Sequence, residues 1–143
     1  MYVSTAGTLF GVGLWFVSYL LYVLFYSVAS SILGPDASLS RIAIHGHVGV
    51  PAAILLCLVN PLFEELLSLG YVVRVFEGHG AAFAIGASAL LRLLAHTYQG
   101  PLAAVSILPM GLLFAAYYWR GRQLWPPIFA HVIADFVGLQ SLT

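Results

Sequence analysis

The sequence predicts an all-α, polytopic transmembrane helix bundle with about five membrane-spanning helices. Three observations predict it. The 143 residues are 62% hydrophobic and only 7% charged, where an ordinary soluble domain carries about 25% charged residues. The apolar runs are continuous and approach the ~20 residues that a crossing helix needs. They also lack the alternation over about 10 residues that marks a membrane β-barrel strand. So few charges cannot cover a water-facing surface. Five arginines, no lysine and five acidic residues also exclude a disordered tail and a basic nucleic-acid binder. A lone Cys57 excludes a disulfide framework and a cysteine-based zinc site.

The first span runs from Gly7 to Leu33 and closes at Gly34-Pro35-Asp36. It has no basic leader and is too long for a cleavable signal peptide. The second runs from about Val48 to Val75, with Pro61 inside it unable to donate to the Cys57 carbonyl. The third, Ala81 to Tyr98, is short. The fourth runs from Pro101 to Trp119, with Pro109 inside it. The fifth runs from Leu124 to about Leu142, with Pro126 and Pro127 suited to its first turn. The Gly7/Gly11 and Ala82/Gly86 pairs are spaced for close helix packing. The chain reads as one transmembrane domain over 1–143, with the first helix and loop in 1–47 and a four-helix core in 48–143. Arg74, Arg120 and Arg122 fall on the N-terminal side and Arg41 on the other, so positive residues place the N-terminus in the cytoplasm. Tyr2, Tyr19, Tyr22, Tyr26, Tyr117, Tyr118, Trp119 and Trp125 suit interface belts. His45 and His47 read as an interfacial loop, and Glu77 and His79 as solvated.

Ionisable groups inside the spans carry the chemistry. Each costs at least about 2.5–3.5 kcal/mol near the bilayer centre unless it finds a partner or a cavity. Glu64 and Glu65 lie near the middle of the second span, Arg92 and His96 in the second half of the third, and His131 and Asp135 in the first half of the fifth. His131 and Asp135 share a helix face at i and i+4, as do Arg92 and His96. Glu64 and Glu65 are about 100° apart around their axis. Glu64 joins Asn60 and Ser68 in a polar stripe, so it is expected to face the cavity. Glu65 is expected to make a supporting or helix-end contact. Three chemistries fit the set. A carboxylate can activate water as a general base, with imidazole and acid stabilising an oxyanion. Glu64, His96, His131 and Asp135 can hold a zinc ion. Intramembrane Glu and His can also relay protons. No H-E-x-x-H is present, and Ser88 in Gly86-Ala87-Ser88-Ala89 reads as a packing residue.

Three segments in order resemble the CAAX-protease and bacteriocin-processing family of intramembrane proteases. Phe63-Glu64-Glu65-Leu66-Leu67-Ser68-Leu69-Gly70-Tyr71 resembles its E-E-x-x-x-R motif. Arg92-Leu93-Leu94-Ala95-His96 resembles F-x-x-x-H, and His131-Val132-Ile133-Ala134-Asp135 resembles H-x-x-x-N/D. The resemblance covers roughly Asn60 to Val137. It implies a type II CAAX prenyl endopeptidase-like hydrolase, a protease of glutamate or metal type, so that the cofactor is either none or zinc. Glu64 and His96 would activate water, and His131 and Asp135 would form the oxyanion site or complete a metal shell. Glu65 is counted with these catalytic residues, and Asn60 supports them. The implied partners are membrane lipid and a membrane-anchored or prenylated peptide, with no nucleic acid. The implied location is a multi-pass site in a prokaryotic cell membrane. Two positions depart from the pattern: Leu69 stands where Arg is expected and Arg92 where Phe is expected. Arg92 is therefore expected to return the missing guanidinium from the neighbouring helix and to pair with Glu64, Glu65 or Asp135. The rival readings are an inactive immunity or scaffold relative and a proton-coupled transporter.

Overall fold

A computed structural model describes residues 3–34 and 49–140. Tyr2, Arg41, His45 and His47 lie outside the described residues. Five α-helices are present: α1 (Thr5–Leu33), α2 (Val50–Glu65), α3 (Ala81–Ala95), α4 (Pro101–Gly121) and α5 (Trp125–Gln140). Beyond Glu65, α2 continues as an eight-residue π-helical segment, Leu66–Val73. Three helical stretches are long and apolar enough to cross a membrane: Thr5–Leu33, Val50–Val73 and Pro101–Gly121. At 1.5 Å per residue, α3 with 15 residues and α5 with 16 reach only about 22–24 Å, short of a ~30 Å hydrocarbon core. The third apolar run is longer than its helix because it breaks into a 3₁₀ turn at Thr97–Gln99.

The two short connections within the core are built alike. Glu77–His79 and Thr97–Gln99 each form one 3₁₀ turn that ends on a glycine, Gly80 at φ 90° or Gly100 at φ 98°. Only glycine takes such a φ without strain, and α3 or α4 starts immediately after. Pro101 at the first turn of α4 uses a position whose N–H has no intrahelical acceptor. These turns fold α2, α3 and α4 back on one another.

The helices close into a ring. α1 packs on α5 and α4, α4 on α3, α3 on the π-helical segment, and α2 on α5. Gly11 brings α1 against α5: a methyl there would stand 2.9 Å from the Pro126 carbonyl oxygen and 3.0 Å from Phe129. Trp125 Nε1 donates to Thr8 Oγ1 at 3.0 Å across the same contact. The Ala82/Gly86 pair does not behave this way. Both residues are exposed, and a methyl on Gly86 would meet nothing within 4 Å, so this small-residue pair packs no helix within the bundle.

The apolar core lies toward the end bearing residues 74–80 and 121–125. Leu69, Val73, Ala84, Phe114, Ala115, Tyr118 and Ala130 form it. Arg74 Nε caps it by donating to the Tyr118 hydroxyl at 3.1 Å, and Arg122 pairs with Glu77 at 2.9 Å over the same end. This pairing ties the solvated loop of Glu77 to the turn before α5.

The π-helical segment keeps one face of the second span inward. Its buried residues include Ala53, Cys57, Pro61, Glu65, Leu69 and Val73, spaced by four, with Ser68 beside Leu69. An α-helix overshoots a four-residue step by about 40°, so this face would rotate away from the core. A π turn closes i to i+5 and takes more than four residues, which turns the face back. Glu65 is the residue on which the two geometries meet.

Candidate active site

Next to the apolar core, the neighbouring elements present polar or very small residues: Glu65 one turn from Leu69, Ser88 and Arg92 one and two turns from Ala84, Gly111 about one turn from Phe114, and His131 adjacent to Ala130. Glu65 is the hub. Its side chain is 0% exposed, and Arg92 Nη2 donates to both of its oxygens at 2.7 Å. His131 Nδ1 donates to Glu65 Oε1 at 2.7 Å. Charge-assisted bonds of this length are among the strongest a buried group makes. The Arg92 guanidinium also lies over the Phe114 ring, 5.9 Å from its centroid, a cation–π distance.

Glu64 holds the half-open side. Its side chain is 23% exposed, and Asn60 Nδ2 donates to Oε1 at 3.0 Å. Its other oxygen, Oε2, stands 3.6 Å from Arg92 Nη1 and 4.0 Å from His131 Nε2. Asp135 Oδ1 approaches the same His131 nitrogen at 3.5 Å. Both ring nitrogens of His131 thus face carboxylates, and each has an acceptor when both carry protons. Glu64 therefore occupies the half-open position expected of it. Glu65 ends α2 where the π-helical segment begins and makes the supporting contact expected of it, to Arg92 and His131. It sits wholly buried, and the two neighbours reach the same guanidinium despite their angular separation, because Arg92 presents two nitrogens in a fixed fork.

Arg92 pairs with Glu65 and Glu64 from α3, and Leu69 is buried in the apolar core. The guanidinium that position 69 lacks thus enters from a neighbouring helix. His96 stands apart from this group. It ends α3, and its Nδ1–H donates to the Arg92 carbonyl at 2.8 Å. Its ring stacks beside Tyr98, 6.5 Å between centroids. Among the described residues no hydrogen bond or ion pair joins it to Glu64, Glu65 or His131. Ser88 is buried on α3, and its hydroxyl lacks a partner among the described residues.

Zinc does not fit this donor set as arranged. Among the described residues no three His, Cys, Asp or Glu side chains group as a metal site. His96, one of the four expected ligands, stands apart from Glu64, His131 and Asp135, with its Nδ1 on the Arg92 carbonyl.

Two contributors escape a reading of the sequence. The π-helical segment leaves no local mark, although the four-residue spacing from Ala53 to Val73 is its trace. Gly111, against which Arg92 lies, looks like any small residue in an apolar helix.

The sequence pattern described as type II CAAX prenyl endopeptidase Rce1-like matches residues 46–137. The chain belongs to this Rce1-like family. The match spans more than half of the chain and takes in α2 to α5 with every residue of the cluster. No curated protein and no solved structure matches. Membership in the Rce1-like family makes the chain a membrane-integral relative of the CAAX-type endopeptidases, and the family implies a protease.

Proposed function

We propose that this Rce1-like chain is an intramembrane endopeptidase that hydrolyses peptide bonds of membrane-anchored substrates, prenylated peptides among them, with water activated by Glu64. One observation carries the reading. Glu64 Oε2 stands 3.6 Å from Arg92 Nη1 and 4.0 Å from His131 Nε2, and Asp135 Oδ1 stands 3.5 Å from the same His131 nitrogen. These gaps are too long for direct hydrogen bonds and suit a bridging water. Glu64 is half-open, so water reaches it, whereas Glu65 is sealed and serves to position Arg92 and His131.

In the proposed reaction Glu64 takes a proton from that water as its oxygen bonds to the scissile carbonyl carbon. The negative charge moves to the carbonyl oxygen, where a protonated His131 donates from Nε2. Glu65, accepting from Nδ1, holds the imidazolium in place, and Asp135 stands beside Nε2. The C–N bond then breaks, the proton on Glu64 passes to the leaving nitrogen, and the carboxyl and amine products separate. Arg92 pairs with both glutamates and fixes where their carboxylates stand. Asn60 orients the Glu64 carboxylate.

Cleavage of a panel of lipid-anchored peptides by the protein in liposomes tests this. Cut products that name the bond are the expected result. No cleavage of any substrate, prenylated or not, overturns it in favour of a scaffold. Proton flux that needs Glu64, without cleavage, overturns it in favour of transport.

A further inference from the structure

Gly111 on α4 faces the Arg92 side chain. A methyl at this position would stand 3.1 Å from Arg92 Cδ, 3.5 Å from Nε and 3.6 Å from the Ala89 Cα. The first contact is tighter than a packed core accepts, so the arginine stem would have to shift. It is not free to do so. Nη2 is bound to both Glu65 oxygens at 2.7 Å, Nη1 faces Glu64, and the guanidinium lies against Phe114. Nε lacks a hydrogen-bond partner among the described residues, so no such bond offsets the crowding on the Gly111 side.

We infer that Gly111 is a positioning residue: its missing side chain sets where the Arg92 guanidinium stands, and so how Arg92 meets Glu64 and Glu65. The effect on catalysis rests on the proposed hydrolase reading, while the effect on the guanidinium does not. A shift of a few tenths of an ångström lengthens the two bonds to Glu65 and moves Nη1 against Glu64, on which water activation depends.

Gly111→Ala tests this with two readouts. In the cleavage assay kcat falls about 10-fold with KM nearly unchanged, since misplacement by even 1 Å can cost 10²-fold. By ¹⁵N NMR in micelles, the Arg92 guanidinium protons exchange faster with solvent. Gly86→Ala on α3, where a methyl meets open space, leaves both readouts as in the parent. In an Arg92→Ala background the methyl meets nothing nearer than Ala89, so Gly111→Ala lowers thermal stability no further. Unchanged guanidinium exchange in Gly111→Ala overturns the inference, as does an equal loss of stability in both backgrounds, which marks general packing. If Arg92→Ala does not fold, the exchange measurement alone decides. If the parent cleaves nothing, the hydrolase reading fails and the exchange and stability results still judge Gly111.

Discussion

At the scale of single residues, the fully buried Glu65 and Arg92 define the molecule. Taking one partner away leaves the other uncompensated in a low-dielectric interior, which costs about 3–5 kcal/mol. Arg92→Met therefore lowers the unfolding free energy in detergent by about that amount, measured by denaturation. Replacing both, as Arg92→Met with Glu65→Leu, recovers most of the loss, because well-packed apolar residues can stand in for a buried pair. If the double variant is less stable than Arg92→Met alone, the pair is not the source of the loss. Glu64 differs from its neighbour. Half-open and bonded to Asn60, it carries little of the fold, so Glu64→Gln shifts the denaturation midpoint much less than Glu65→Gln does.

At the scale of helices, close approach depends on where side chains are missing. Gly11→Val drives a branched side chain into Pro126 and Phe129 and is expected to destabilise by about 1–3 kcal/mol. Gly13→Val on the same helix, where a methyl would meet nothing within 4 Å, is nearly neutral; thermal unfolding of the two variants compares them. The helices themselves were readable from the sequence because lipid demands long apolar runs with satisfied backbone groups. All five runs recur as helices at nearly the expected bounds. The cost of stranded charge led to an expected cluster of Glu64, Glu65, Arg92, His96, His131 and Asp135; His96 stands apart from the other five. The roles of Glu64 and Glu65 were harder. Angles around an ideal α-helix separate the two, but they do not say that an arginine fork will bridge them. Nor do they show that the turn after Glu65 widens into a π-helix. Ala82 and Gly86 mislead for a related reason: spacing alone permits close packing, and only a facing helix makes use of it.

At the scale of the whole molecule, the ring of helices sets its two ends. The N-terminal end of α1, the turn at Glu77 and the turn at Arg122 lie together, joined by the Arg122–Glu77 pair at 2.9 Å. Arg74, Arg120 and Arg122 lie toward this end, and we propose that it faces the cytoplasm. In a Cys57→Ala background, Gly78→Cys and Gln123→Cys should react with an impermeant thiol reagent from the cytoplasmic side only, and Gly49→Cys from the other side only. Reaction of Gly78→Cys and Gln123→Cys from opposite sides would contradict the ring.

The central claim is that this family member hydrolyses peptides with water drawn to Glu64, and not with a side-chain nucleophile. The most direct measurement is the cleavage rate of Glu64→Gln beside that of Ser88→Ala, both in liposomes and both checked for an intact fold. A loss of at least about 10²-fold in the glutamine variant, with near-parental cleavage in the alanine variant, is the predicted result. Parental cleavage by Glu64→Gln, or abolition by Ser88→Ala, would contradict it.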